Sequence, residues 1–254
     1  MTQTQQLWLD ASANLELARG EVHVWRVCLQ QSCAAVQPLL NILSSDEQLR
    51  ASKYYFQRDR ERFVLTRGML RIILSRYINL APGQISFSHN QYGKPAISSA
   101  AKNSPLRFNV SHSNRLALFA VMYEREVGVD LEWVRDDFAS LELAERFFSP
   151  AEVTALRALP TGARTNAFFE CWTRKEAYVK ACGRGLSYPL HRFTVSLTPD
   201  TPAALLSTDD NPCEASRWSI INLCPAAGYR AALAVEAPPP RLYCWQAPRV
   251  GSSL

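Results

Sequence analysis

The sequence lacks the cysteine and hydropathy patterns of disulfide-rich, zinc-binding and membrane-spanning proteins. Its seven cysteines are odd in number and include no Cys-x-x-Cys pair, so neither a disulfide framework nor a zinc site is expected. The first residues carry no basic segment followed by an apolar one, and no apolar run approaches the length that crosses a membrane. We therefore expect a cytoplasmic protein with reduced thiols and no membrane partner.

A concentrated basic tract is absent as well. The chain has 28 Lys and Arg residues against 23 Asp and Glu, a net charge of +5, but these cations are dispersed, and the aromatic residues lie in apolar runs typical of a core. Nucleic acid is therefore not an expected partner. The mildly basic balance suits a ligand that bears phosphates, or an acidic protein.

The two halves of the 254-residue chain show the same order of predicted elements: a strand, a capped short helix, a long helix and three strands. In the first half these are predicted at 21–29, 44–56, 59–78, 85–87, 106–110 and 116–123. In the second half they are predicted at 127–133, from 149 onward, and at 164–182, 193–197, 218–223 and 229–235. Residues 30–43 are predicted to be a connection.

This repeat predicts an α+β fold built by pseudo-symmetric duplication. Each lobe would have a mostly antiparallel sheet and a long packed helix, the first spanning residues 1–124 and the second 125–254. A cleft between the lobes is the expected ligand site. Residues from about 238, beginning with three successive prolines, are predicted to be a surface extension of the second lobe, although 242–245 could pack back.

Two carboxylates lie two residues apart in the predicted strand 127–133. Asp130 and Glu132 project from one face of such a strand and repel each other unless a cation or hydrogen-bond donors hold them. Mg²⁺ is a hard ion that takes oxygen ligands, and Glu176 on the long helix is a candidate third ligand. The alternative is that both strand carboxylates simply face solvent.

The long helix carries a second charged feature, since Glu176 and Lys180 stand four residues apart and are neighbours on its surface. An ordinary solvated ion pair explains this spacing equally well. Glu152 has a similar ambiguity, because a capping box begun by Ser149 accounts for it without any catalytic role.

Candidate anion-binding residues are spread over the first half. Lys94 lies in a Gly-Lys-Pro turn that can aim its side chain, and His112 follows a predicted strand and could donate to a phosphate. Arg60, Arg62 and Arg67 form the basic face of a predicted helix, and arginine suits forked phosphate binding. A structural histidine and a solvated helix face are the alternatives.

Six segments form an ordered series of motifs: Tyr92–Pro95 (YGKP), Phe108–Ser113 (FNVSHS), Gly128–Glu132 (GVDLE), Arg146–Glu152 (RFFSPAE), Trp172–Lys180 (WTRKEAYVK) and Gly183–Leu186 (GRGL). Taken together, they resemble the motif series of the phosphopantetheinyl transferases, in the monomeric two-lobed form that activates carrier proteins. The match runs from about residue 44 to 235.

The resemblance implies a monomeric enzyme that moves the 4′-phosphopantetheine arm of coenzyme A onto a serine of an apo acyl or peptidyl carrier protein and releases adenosine 3′,5′-bisphosphate. Mg²⁺ and coenzyme A would bind between the lobes. The implied metal ligands are Asp130, Glu132 and Glu176. The implied coenzyme A contacts are Arg60, Arg67, Lys94, Ser111, His112 and Lys180. Glu152 or Glu176 would take the serine proton, and the stretch after Gly183 would help receive the carrier protein.

Two other functions are compatible with the same residues. A catalytically silent module would bind coenzyme A or a carrier protein without turnover, although retention of the three carboxylates and Lys180 argues against it. A metal-dependent phosphatase or nucleotide hydrolase would release phosphate without an acceptor protein.

Overall fold

The computed structural model describes residues 6–12, 15–30, 33–98, 104–198 and 201–248. The helices of this part of the chain are α1 (Cys33–Asn41), α2 (Ser45–Ser52), α3 (Gln57–Ser75), α4 (Leu141–Phe147), α5 (Pro150–Ala158) and α6 (Thr161–Cys182). The strands are β1 (Leu9–Asp10), β2 (Glu21–Cys28), β3 (Phe87–His89), β4 (Pro95–Ile97), β5 (Leu106–Ser113), β6 (Leu116–Tyr123), β7 (Val127–Trp133), β8 (Phe193–Val195), β9 (Leu205–Thr208), β10 (Trp218–Leu223), β11 (Tyr229–Glu236) and β12 (Arg241–Gln246). In the described ranges no helix has the length and apolar character needed to span a membrane.

The main sheets of the two lobes share one topology. In the first lobe β2, β6 and β5 are neighbours in that order, and in the second lobe β7, β11 and β10 are. Each trio is antiparallel and places its first, third and second strand side by side. In both lobes the long helix, α3 or α6, follows the first strand. The predicted α+β fold with two related lobes is therefore confirmed.

Each sheet packs one face against its own long helix. Buried side chains of α3, including Leu70 and Ile73, share a core with Trp25 of β2 and Phe119 of β6. The corresponding core of the second lobe joins α6 to β11 and β10. This arrangement follows from strand alternation, because successive side chains point to opposite faces of a sheet.

The opposite faces of the two sheets meet in a third core between the lobes. Val24 of β2 and Leu118 of β6 pack there with Val129 and Leu131 of β7. All four side chains are fully buried. The strand β7 therefore buries Val127, Val129 and Leu131 between the lobes and presents its alternate residues, among them Asp130, toward α6.

Gly128 allows α6 to lie unusually close to β7. A Cβ atom added at this residue would stand 2.1 Å from the carbonyl oxygen of Ala177 and 2.3 Å from the amide nitrogen of Ala181. No side chain fits in that gap, so glycine sets the distance between the strand and the helix turn that carries Lys180.

The segment after the three prolines packs back onto the first lobe. Its strand β12 lies between β1 and β2 and is parallel to both, and Cys244 is 6% exposed. Of the two possibilities that the sequence left open for 242–245, the structure has the second. Residues 241–246 therefore lie in the sheet of the first lobe, although the predicted division at residue 124 assigns them to the second lobe. The positions after 248 lie outside the described residues.

Several local predictions needed correction. Residues predicted to be a connection include the helix α1, which the sequence pattern hid because Pro38 lies inside it. The strand predicted at 85–87 instead begins at Phe87 and pairs with β4 in a small hairpin. The capped short helix predicted at 44–56 corresponds to α2, which ends at Ser52 rather than near Phe56.

Candidate active site

The acidic centre of the site begins with Asp130, which is 3% exposed on β7. Its Oδ1 atom accepts hydrogen bonds from the ammonium of Lys180 at 2.6 Å and from the hydroxyl of Ser111 at 3.0 Å. Its Oδ2 atom is buried and has no hydrogen-bond partner within the described chain. A carboxylate oxygen in this position costs free energy unless a cation or donor reaches it.

The helix α6 supplies the other charged groups from consecutive turns. Lys180 donates to the Oγ of Ser111 at 3.0 Å as well as to Asp130, and Glu176 lies one turn before it. The close approach at Gly128 brings this face of the helix over the strand. The helix ends at Cys182, as predicted from the sequence, and Gly183 caps it with a left-handed φ of 64°.

Burial and mutual repulsion change the acidity of two of the three carboxyl groups. Burial, followed by the charge of Asp130, raises the pKa of Glu176 to about 7, although Lys180 opposes the shift. The same two causes, in the same order, raise the pKa of Glu132. Three acidic groups that interact in this way favour either protonation or a shared cation.

These residues suit a hard divalent cation, although their side chains are not yet gathered around one point. Within the described ranges, no three carboxylate, histidine or cysteine side chains already form a group that could hold a metal ion. The buried Oδ2 of Asp130 lacks a partner, and the donor set consists of carboxylate oxygens, which Mg²⁺ prefers. On chemical grounds these donors fit the expected ion. Lys180 neutralises the charge of Asp130 in the present arrangement.

A basic cavity of about 540 Å³ adjoins the acidic centre at the end of β5. His112 and Ser113 form part of its wall, and most of the other lining residues belong to the helices α2 and α3. Its cationic lining residues are Arg50, Arg62 and Arg67. Desolvation, with smaller contributions from the charges of Lys180 and Arg62, lowers the pKa of His112, which favours a neutral imidazole with one N–H donor.

The two predicted arginines have different surroundings. Arg67 lines the basic cavity, but its Nε atom stands 2.5 Å from Oε1 of Glu47, and its guanidinium lies over the ring of Phe87. Arg60 lines a different cavity beside Tyr55. The structure thus brings Arg67, but not Arg60, together with His112.

Lys94 lies outside both the acidic centre and the basic cavity. Its ammonium donates to Oε2 of Glu126 at 2.6 Å and to the carbonyl oxygen of Ala181 at 2.7 Å, so it joins the start of β7 to the end of α6. The side chain lines a cavity of about 740 Å³ that does not include His112. In the described chain Lys94 therefore has structural partners, which the turn motif alone could not indicate.

Glu152 is buried in the core of the second lobe at 1% exposure. Its Oε2 atom accepts from the amide of Ser149 and from the ammonium of Lys175, both at 2.8 Å, and its Oε1 atom accepts from the amide of Val195 at 2.6 Å. The predicted capping box is present. These contacts occupy both oxygens, and they explain the residue without a role in proton transfer.

Comparison with known proteins identifies the family of this chain. The family described as 4′-phosphopantetheinyl transferase superfamily matches residues 126–234, and the one described as 4′-phosphopantetheinyl transferase, N-terminal, matches residues 25–124. The transferase HetI of Nostoc sp. is 43% identical over 231 residues, which cover 91% of this chain and 94% of HetI. The chain belongs to the 4′-phosphopantetheinyl transferase superfamily.

Other relatives of this transferase agree with the assignment. The 4′-phosphopantetheinyl transferase Sfp of Bacillus subtilis is 30% identical over 200 residues, covering 78% of this chain and 84% of Sfp. A putative 4′-phosphopantetheinyl transferase of Synechocystis sp. is 38% identical over 164 residues, covering 63% of this chain and 66% of that protein. The sequence resemblance is confirmed, and the protein is a transferase enzyme.

Sequence reasoning missed two residues of the candidate site. Arg50 of α2 lines the basic cavity with His112, yet its sequence neighbourhood only marked a short capped helix. Ser113 donates to Oε2 of Glu132 at 2.9 Å, although the sequence singled out only its neighbours Ser111 and His112. The alternation of β5 was the available signal, because Ser111 and Ser113 must share one face.

Proposed function

We propose that this transferase moves the 4′-phosphopantetheine arm of coenzyme A onto a serine of an apo acyl or peptidyl carrier protein and releases adenosine 3′,5′-bisphosphate. The observation that supports this most directly is the buried, unpartnered Oδ2 of Asp130 beside Lys180. Among the described residues this oxygen has no donor of its own, and it stands beside a lysine that can bind phosphate and near the basic cavity.

Asp130, Glu132 and Glu176 would hold Mg²⁺. When bound, this ion supplies charge neutralisation at the pyrophosphate of coenzyme A. Lys180 is proposed to contact the same pyrophosphate, since its ammonium already lies between Ser111 and Asp130 and can exchange one anionic oxygen for another.

Glu176 is proposed to accept the proton of the attacking serine. The serine oxygen forms a bond to the phosphorus that carries the pantetheine arm. The bond from that phosphorus to the bridging oxygen breaks, and its electron pair leaves with adenosine 3′,5′-bisphosphate. An oxygen of the Glu176 carboxylate that the ion does not engage would accept this proton. Glu152 was the other sequence candidate, and its oxygens are already occupied.

The basic cavity is proposed to receive the nucleotide end of coenzyme A. His112 and Arg67, together with Arg50 and Arg62, supply donors for phosphate oxygens there. Direct contacts to coenzyme A from Lys94, Ser111 and Arg60 stay predictions. Their present partners or positions require a side-chain rearrangement before such contacts form.

The test is incubation with coenzyme A, Mg²⁺ and several apo carrier proteins, followed by intact mass spectrometry. We expect addition of the phosphopantetheine mass, its loss on chelation, and its loss in Asp130→Asn. The matched control is Asp136→Asn, which removes an exposed carboxylate three residues beyond β7. No added mass on any carrier would contradict the proposal. Phosphate released without a carrier would favour a hydrolase, and coenzyme A binding without transfer would favour a silent module.

We also propose that the enzyme is a cytoplasmic monomer with lobes at 1–124 and 125–254, in which the second part of the chain contributes β12 to the sheet of the first lobe. The core between the two sheets of one chain is the feature that supports a site formed within a single copy. Light scattering at several protein concentrations tests the monomer, and a concentration-dependent dimer mass would contradict it.

A further inference from the structure

The strands β5 and β7 lie side by side at the junction of the lobes, but side chains join them. In the described sheets β5 pairs through its backbone with β6, and β7 pairs with β11. Three amides of β7 instead donate to side chains of β5. These bonds are Val129 N to Asn109 Oδ1 at 3.0 Å, Leu131 N to Ser111 Oγ at 3.2 Å, and Trp133 N to Ser113 Oγ at 3.0 Å.

These three bonds form a ladder of three rungs between the two strands. The two serines of the ladder each also contact a carboxylate of β7. Ser111 donates to Oδ1 of Asp130 at 3.0 Å, and Ser113 donates to Oε2 of Glu132 at 2.9 Å. Each hydroxyl therefore contacts the amide of one β7 residue and the carboxylate of the residue before it. At the third rung, the residue before Val129 is Gly128, so Asn109 has no carboxylate to contact.

A serine hydroxyl can make both contacts at once, because it has one donor and two acceptor lone pairs. The amide of Trp133 takes a lone pair of Ser113 and fixes the oxygen. The remaining O–H is then directed at Glu132. The orientation of this carboxylate on the second lobe thus depends on a hydroxyl that belongs to the first lobe.

We propose that Ser113 is a positioning residue that holds the Glu132 carboxylate ready for the divalent cation and links cation binding to the contact between the lobes. The proposal rests on the metal role given to Glu132 above. Hydrogen-bond partners of metal ligands commonly contribute about 10- to 100-fold to metal affinity. A loss of roughly this size is expected when the Ser113 hydroxyl is removed.

A different explanation of Ser113 is that it touches the nucleotide, because it also lines the basic cavity. Measurements without nucleotide separate the two roles. Binding of Mn²⁺ to the full chain, followed by electron paramagnetic resonance in the absence of coenzyme A, reports on the carboxylates alone.

The variants are Ser113→Ala, Ser113→Thr and Asn109→Ala. Ser113→Ala is expected to weaken Mn²⁺ binding about 10- to 100-fold, whereas Ser113→Thr, which keeps the hydroxyl, should stay near wild type. Asn109→Ala removes an equivalent rung with no carboxylate contact, so it should change the affinity by less than about twofold. Comparison with Asn109→Ala thus separates loss of a rung from loss of the carboxylate contact.

A second readout is the increase in melting temperature on adding Mg²⁺. It should be smaller for Ser113→Ala than for Asn109→Ala, even if both melt lower than wild type without metal. Equal Mn²⁺ affinities for wild type and Ser113→Ala would overturn the positioning role while leaving the metal assignment intact. Absence of Mn²⁺ binding by wild type would instead overturn the metal assignment, and this inference with it.

Discussion

The ammonium of Lys180 lies 2.6 Å from Oδ1 of Asp130, so that a cation on α6 neutralises the most deeply buried carboxylate of β7. This ion pair connects the long helix of the second lobe to the strand at the lobe junction. It also places a positive charge beside the carboxylate that is proposed to hold the metal ion, so the lysine and the ion compete for Asp130. Removal of the Lys180 charge should therefore have opposite effects on metal affinity and on turnover.

Replacing Lys180 by Met should lower kcat by about 10²–10³-fold, because one group that stabilises developing charge on the leaving phosphate is lost. Affinity for Mn²⁺ should stay the same or rise, since the competitor at Asp130 is gone. Steady-state transfer assays and Mn²⁺ titrations measure the two effects. Lys53→Met, at an exposed position, is the control. A drop in metal affinity with unchanged kcat would contradict this role.

Stability should depend on pH through Glu176. Its pKa is about 7 in the folded protein against the usual 4.5, so between these values the native state binds more protons than the unfolded state. The contribution of Glu176 to the free energy of unfolding should therefore fall as pH rises from about 4.5 to 7 and change little above that range, whereas buried His23, whose pKa is lowered to about 4, contributes in the opposite direction. Thermal melts of the metal-free protein measure the slope.

The Glu176→Gln variant is the control for this pH effect. Subtracting its stability curve from that of wild type should leave the fall with pH that belongs to Glu176, because the contributions of Glu132, whose pKa is also raised, and of His23 are common to both proteins. Mg²⁺ should raise the melting temperature of wild type more at pH 8 than at pH 5, because metal and proton compete for the carboxylates. Identical slopes in wild type and variant would exclude Glu176 as the source.

Replacing Glu152 by Gln should destabilise the fold far more than it alters chemistry. The change leaves the fully buried Lys175 without its carboxylate, and breaking a buried pair in this way costs about 3–5 kcal/mol. Denaturant unfolding measures the loss. Glu145→Gln breaks an exposed pair with Arg157 and should cost at most about 1 kcal/mol.

Transfer kinetics decide between the two sequence interpretations of Glu152. At a temperature where Glu152→Gln is folded, kcat should stay within about tenfold of wild type, since general base catalysis contributes about 10²–10⁴-fold when it is removed. A stable Glu152→Gln protein with a loss in that larger range would support the catalytic interpretation.

Replacing Gly128 by Ala should push α6 away from β7, because the added Cβ meets backbone atoms of Ala177 and Ala181. We expect a loss of about 3 kcal/mol in the free energy of unfolding and reduced transfer even where the variant is folded. Gly162→Ala is the matched control, since nothing lies within 4 Å of a Cβ there. Equal stability of the two variants would refute the close-packing argument.

The elements with long, regular patterns were predictable from sequence. The strands β6, β7 and β10 have the predicted bounds, because each is a run of six or more residues rich in apolar side chains. The strand β12 could not be predicted with the same security. Its partner β2 lies some 200 residues earlier in the chain, and no local pattern specifies so distant a pairing.

The site was predictable where spacing sets geometry and unpredictable where tertiary packing sets partners. The two-residue spacing of Asp130 and Glu132 and the four-residue spacing of Glu176 and Lys180 place each pair on one face. The Lys94 contact with Glu126 and the burial of Glu152 depend on how distant elements pack. A motif names such residues without stating what they touch.

The position of β12 has a consequence for biosynthesis. Because this strand inserts between β1 and β2, the sheet of the first lobe is incomplete until residue 246 has left the ribosome. The nascent first lobe must therefore wait, with one edge of β2 uncovered, while the entire second lobe is translated.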